Sequence, residues 1–215
     1  MKEDPLADTR AVLKGAEAKF VGLTAKMVRA IRQATEAPYE LELAVKSCLD
    51  DARASLDYTA TALVDRMGVA GGRAQYPILD SADAFDRLHH KFLPGVAATS
   101  PTVIAATRQT QPFDGGAWGR DLRRLRTLSN VLKHRRLLIM KRKALPTPQD
   151  QLDRMTKGGY IVFADGTHAD WVFADSSESA AGQVFNIIES VRGVIDHVAD
   201  AAKWPRITYL NGPII

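Results

Sequence analysis

The chain has 215 residues and a formal net charge of +4, with 46% hydrophobic and 25% charged residues. Its 15 glycines and 10 prolines follow no period, which excludes collagen-like and low-complexity chains, and the apolar fraction excludes a wholly disordered one. That length fits a single domain, 1–215, with one core.

The single cysteine, Cys48, cannot close an internal disulfide, so nothing asks for an oxidising compartment. The opening MKEDPLADTR has no apolar run, and no stretch approaches the ~18 consecutive apolar residues of a membrane span. The expectation is a soluble cytoplasmic protein without membrane association.

From Asp4-Pro5, a helix-start signal, residues Leu13, Ala16, Phe20, Leu23, Met27, Ala30 and Ala34 alternate three and four apart. This spacing predicts a long amphipathic helix that stops before Pro38. A second run, Leu41, Val45, Cys48, Ala52, Leu56, Thr59 and Leu63, predicts another long helix ending near Gly68. Two such helices on a short link should pack antiparallel. Gly71-Gly72 and Tyr76-Pro77-Ile78 read as a loop or short extended piece. Ser81 or Asp83 then opens a short helix through Phe85, Leu88 and Phe92, closed by Pro94-Gly95. A further short helix runs from Ser100-Pro101 to Gln111 and ends at Pro112. Past Gly115-Gly116, a basic helix spans Trp118 to Leu138.

Beyond that helix the apolar period shortens. Leu137–Leu145, Tyr160–Ala164 and Ala169–Phe173 are candidate strands, the last two joined by a hairpin at Asp165-Gly166-Thr167-His168. Asp175 and Glu178 have capping-box spacing and open a last helix with Val184, Ile187, Ile188, Val191, Ile195, Val198 and Ala202 on its apolar face. The expected fold is mainly α: an antiparallel helical bundle over 4–138, a small antiparallel β-meander over 137–174, a closing helix over 175–204 and a tail over 205–215.

Charge is concentrated in one place. Between Arg120 and Lys143 ten Lys or Arg residues face one acid, Asp121, so this segment carries +9 and the rest of the chain −5. Such a patch suits phosphates, anionic headgroups or an acidic partner, or simply a solvated helix face. At about 100° per residue, Trp118, Leu125, Leu128 and Leu132 share one arc of the basic helix. Arg126, Asn130 and His134 share another, with Arg123 and Lys133 close by. Arginine grips phosphate oxygens in a two-pronged fork, and histidine exchanges protons near neutral pH without a metal.

The run Leu125-x-x-Leu128-Ser129-Asn130-x-x-Lys133-His134-Arg135, with Gln111-Pro112-Phe113 and Asp51-x-Arg53-x-x-Leu56-Asp57, resembles a group of uncharacterised bacterial helical proteins. That group carries L-x-N-x-D-K-H-R and R-x-x-L-D motifs, and Leu132 stands here where it has aspartate. It in turn is similar to an outlying branch of the HEPN superfamily, the higher eukaryotes and prokaryotes nucleotide-binding domain, over roughly 41–138. HEPN nucleases carry arginine four to six residues before histidine, whereas seven residues separate Arg126 from His134 here and Asn130 takes the nearer position.

The resemblance implies a helical bundle, a homodimer, and RNA as the ligand, cut without metal or cofactor in a defence or toxin–antitoxin system with an antitoxin or other protein partner. It implies His134, Arg126 and Asn130 as catalytic residues, and Lys133, Arg135, Arg123 and Arg53 as phosphate contacts. Plainer readings stand beside these. His134 can be a structural residue bonded to Asp57, Arg53 and Asp57 an intrahelical ion pair, Gln111-Pro112-Phe113 a turn, and the whole chain a non-catalytic dimeric interaction module. Asp86-x-x-His89 and His197-x-x-Asp200 each lack the second pair that a metal site needs. Cys48 belongs to an apolar seam, and Trp171, Tyr160 and Phe163 fit strand packing as well as base stacking.

Overall fold

The computed structural model describes residues 4–33, 37–67, 74–134, 140–146, 167–173 and 175–204. Seven helices and two strands lie among them: α1 (Ala7–Gln33), α2 (Tyr39–Arg66), α3 (Ala82–Phe92), α4 (Val96–Thr99), α5 (Pro101–Gln109), α6 (Gly119–His134), β1 (Met140–Pro146), β2 (Thr167–Phe173) and α7 (Ala180–Ala201). The protein is a mainly helical bundle with a two-stranded antiparallel sheet before its last helix.

The two long helices follow from their apolar stripes. Every seam residue expected in α1 from Leu13 to Ala30, and in α2 from Leu41 to Leu63, is buried, while Ala34 lies outside the described residues. Asp4 secures the entry to α1, accepting from the Leu6 N–H at 3.1 Å and pairing with Arg10 at 2.5 Å. Thr9 meets Thr59 and Lys19 meets Asp51, so the pair runs antiparallel. At ~1.5 Å per residue, the 27 residues of α1 make a spine of about 40 Å. Helix α7 lies antiparallel to α1, with Arg192 on Glu17 and Phe185 beside Phe20. Its Val184, Ile187, Ile188, Val191, Ile195 and Val198 complete the core. Cys48 is fully buried in that seam, and burial pushes its thiol up to about 11.

Shorter elements close the open side of this core. Ser81, rather than Asp83, caps α3, accepting from the Ala84 N–H. Only Phe85 of its expected apolar set is buried, while Leu88 and Phe92 are half-buried. Helix α4 has no counterpart in the sequence reading. It begins at Gly95, whose φ of 78° lies in the left-handed region that glycine enters without a steric penalty. Helix α5 starts on Pro101 as expected.

Four details differ from the sequence reading. The last helix is capped by Ser179, whose Oγ accepts from the Gly182 N–H, and not by Asp175. Arg124 holds the Asp175 carboxylate through two hydrogen bonds of 2.7 and 2.8 Å, and such charge-assisted pairs outcompete a neutral cap. The guanidinium beside Asp175 also keeps its carboxyl below the ordinary range. Thr167 and His168 are strand residues, opposite Pro146 and Leu145, so they form no hairpin turn. Strand β1 runs from Met140 to Pro146, shifted from the expected Leu137–Leu145. Residues 135–139 and the expected strand Tyr160–Ala164 lie outside the described residues. Finally, Leu122 joins Leu125 and Leu128 in the core of α6, whereas Trp118 is only partly buried.

The sheet is lopsided. Residues 168–173 of β2 are all buried, and the Trp171 indole, fully buried, donates to the Met27 carbonyl of α1 at 3.2 Å. Trp171 is therefore core packing and not a platform for stacking a base, while Tyr160 and Phe163 lie outside the described residues. Strand β1 presents Lys141, Arg142 and Lys143 to solvent. None of the described helices is long and apolar enough to cross a membrane.

Candidate functional site

Two of the three expected catalytic residues, Arg126 and Asn130, line a cleft between α2 and α6, and the expected phosphate contact Arg53 lines it from the α2 side. The cleft holds about 170 Å³ and is closed by the extended segment before α3 through Gln75, Ile78 and Leu79, with Ser129 and Phe92 alongside. Lys133 and His134 end α6, and their side chains are not among those described. His134 lies four residues beyond Asn130, on the same helix face by spacing. Arg135 lies outside the described residues.

Arg53 is held in place from two directions. It lies one turn before Asp57, and its Nε and Nη2 donate to the Asp57 carboxylate at 3.3 and 2.9 Å. Nη2 also donates to the Tyr76 carbonyl at 2.8 Å. Asp57 accepts in addition from the Tyr76 N–H at 2.9 Å, so this carboxylate is committed to Arg53 and the 76-segment. The plainer reading of Arg53 and Asp57 as an intrahelical pair holds, and the pair also anchors the cleft wall. The side chain of Arg53 is only 13% exposed, yet its Nη1 has no hydrogen-bond partner among the described residues. With Nε and both Nη2 hydrogens taken, Nη1 alone remains to donate to an oxyanion, and the guanidinium is held in place to do so.

The cleft wall is set by Gln111. This residue is fully buried, and its amide spans two chain segments: Oε1 accepts from the Leu79 N–H at 2.9 Å, and Nε2 donates to the carbonyls of Pro77 and Thr107, each at 3.0 Å. Beneath it, the Tyr76 hydroxyl meets Thr110 Oγ1 at 2.8 Å. Gln111-Pro112-Phe113 is thus a turn whose glutamine fixes the extended 76–79 segment against α5.

Helix α6 supplies the remaining polar groups. Ser129 is 4% exposed, and its Oγ is buried without a hydrogen-bond partner among the described residues, an arrangement with a cost of about 1–3 kcal/mol. Asn130 is exposed beside it. Arg126 donates to Asp80, and Arg123 sits 3.9 Å from the same carboxylate while donating to the Pro112 carbonyl. The basic patch is accordingly less free than its sequence suggests: Arg120 pairs with Asp121, Arg124 with Asp175, and Arg123 and Arg126 share Asp80. Because the arginines alternate around the helix, Arg124 turns the other way, onto Gln183 and over the Phe173 ring.

Sequence reasoning missed Ser129, Gln75 and Asp80. Ser129 carried a signal, a hydroxyl at the edge of the apolar arc of α6. Asp80 carried none, since 46 residues separate it from Arg126 and only the fold brings them together. Among the described residues, no three His, Cys, Asp or Glu side chains gather as metal ligands would. His89 bonds the Phe85 carbonyl, and His197 bonds Gln109 and packs on Trp118.

Compared with known protein families, curated proteins and solved structures, the chain matches none of them.

Proposed function

We propose that this chain binds RNA, or another phosphate-bearing ligand, with a phosphate seated in the α2–α6 cleft. The observation that carries the reading is the meeting of the Arg53 guanidinium, whose Nη1 is left to donate, and the exposed Asn130 amide in one small cleft beside Arg126. A phosphate accepts from guanidinium and amide alike. Asp80 then acts as a stand-in anion: its carboxylate occupies Arg126 where a phosphate oxygen would. That pair is exposed, at 39% and 57%, so exchanging it costs at most about 1 kcal/mol.

The same reading extends to metal-independent cleavage of the HEPN kind, in a defence or toxin–antitoxin setting and from a homodimer. The ribose 2′-oxygen attacks the adjacent phosphorus, forming an O2′–P bond while the P–O5′ bond breaks. His134 accepts the 2′-hydroxyl proton, and an imidazolium returns a proton to the departing 5′-oxygen. Arg53 and Arg126 stabilise the charge on the phosphorane oxygens. A second reading, a non-catalytic dimeric interaction module, is favoured by the engagement of both arginines with carboxylates.

Fluorescence anisotropy with a 5′-labelled single-stranded RNA across a salt series distinguishes the two. Phosphate contacts predict a log–log slope near −0.7 per contact. Asn130→Asp, at an exposed position, sets a carboxylate against the phosphate and is expected to weaken binding at least tenfold. Asp80→Asn is expected to tighten it, by up to about fivefold. Binding indifferent to salt and to Asn130→Asp would leave the interaction module. Cleavage is read in EDTA: 2′,3′-cyclic phosphate ends that disappear in folded His134→Ala support the nuclease, and activity abolished by EDTA overturns it.

A further inference from the structure

Helix α2 joins the cleft to the exposed basic strand. Glu42 and Arg53 are eleven residues apart on α2, three turns and about 20°, so they share one stripe about 16 Å apart. Glu42 is half-buried, and its carboxylate accepts from the Met140 backbone N–H, the first residue of β1. Lys46 and Asp50, an ion pair, lie on the stripe between them. The chain thus leaves the cleft at Ser129 and Asn130 and returns to the same stripe of α2 at Met140. From there β1 carries Lys141, Arg142 and Lys143, all exposed and without an ion pair among the described residues. The buried strand β2 pairs beside them, with Trp171 opposite Arg142 and Asp170 opposite Lys143; side chains alternate along a strand, so Lys141 and Lys143 share one face of the ribbon and Arg142 reaches out from the other.

We propose that a single-stranded RNA follows this line: one phosphate sits in the α2–α6 cleft, and the strand runs along α2 toward its N-terminal end and over β1, where Lys141, Arg142 and Lys143 neutralise further phosphates. The proposal rests on the cleft being a phosphate site and extends it to the class and length of the ligand. Charge complementarity selects the occupant, since three exposed cations in consecutive positions, with no ion pair among the described residues, attract a polyanion over a Debye length of ~8–10 Å. Cleft size selects the single strand. A volume of about 170 Å³ admits a phosphate with its ribose and no base pair, and only a flexible strand can dip into it and then continue over β1.

The test measures binding of an oligouridine of about 16 nucleotides, in the range of single-strand sites, and of the dinucleotide pUpU. Proteins are the wild type, Asn130→Asp and the triple variant Lys141→Ala/Arg142→Ala/Lys143→Ala, whose altered side chains are solvent-facing. The triple variant is expected to lose at least tenfold affinity for the long strand, with a salt slope shallower by about two, from roughly 0.7 per lost contact, and to bind pUpU as wild type does. Unchanged affinity and slope for the long strand in the triple variant, with Asn130→Asp still weakened, would overturn the path and leave the cleft intact. Loss in the triple variant with Asn130→Asp binding normally would remove the cleft reading and the path with it. A duplex of the same length competing as well as the single strand would overturn the ligand class.

Discussion

Trp171→Ala is expected to lower the free energy of unfolding by about 4 kcal/mol, the range for deleting a fully buried aromatic side chain. Trp171 is among the largest fully buried side chains and lies where three elements meet: it sits on β2, pairs across the sheet with Arg142 and donates its indole N–H to Met27 of α1. Its removal leaves a cavity that β2 cannot collapse into, because the backbone is tied to β1. The carbonyl of Met27 stays inside a helix, so most of the loss is packing and not an orphaned acceptor. Trp171→Phe, which keeps a ring and loses the hydrogen bond, should cost less, about 1–2 kcal/mol. Urea denaturation followed by far-ultraviolet circular dichroism measures both; an alanine variant within 1 kcal/mol of wild type, a loss well below the usual ~3–5, would show that the sheet is not part of the cooperative core.

Gln111→Leu should have the second largest effect, and it reaches function. Leucine fills nearly the same volume but leaves the Leu79 N–H and the Pro77 carbonyl without partners. Each such loss costs about 1–3 kcal/mol, so a total near 3 kcal/mol is expected. The same two hydrogen bonds place Ile78 and Leu79 along the cleft. Well below its melting temperature the folded variant should therefore bind RNA more weakly, although Gln111 is not among the residues lining the cleft. Gln111→Glu keeps the acceptor for Leu79 and replaces the donors with a buried carboxylate, so it should be no better. A variant that loses stability yet retains wild-type RNA affinity would separate the wall from the site.

The large helices were legible in the sequence because their apolar residues recur at the helical period: the described seam of α1 and the whole seam of α2 are buried as spaced. The same holds for α7 from Val184 to Val198. Capping was less legible where competing partners are distant. Asp175 looks like a cap by spacing, yet Arg124, 51 residues earlier, takes its carboxylate. Helix α4 is too short for a period and depends on the conformation of Gly95. In the candidate site, Arg53, Arg126 and Asn130 could be nominated from residue type and helical face, and the fold brings them to one cleft. Asp80 and the Gln111 scaffold are tertiary facts, set by contacts that cross dozens of residues. Ser129 was readable only as a polar residue on the margin of an apolar arc.

Whether the α2–α6 cleft seats a phosphate is read most directly by a nuclear magnetic resonance titration with pUpU. It follows the Arg53 Nε–Hε and Asn130 side-chain amide signals, with Arg124, engaged by Asp175, as an internal control. Saturable shifts are expected at Arg53 and Asn130 that share one dissociation constant and weaken with salt, with the Arg53 shift lost in Asn130→Asp, while Arg124 stays still. Shifts confined to Arg124, or none at Arg53 at saturating dinucleotide, would contradict a phosphate in the cleft.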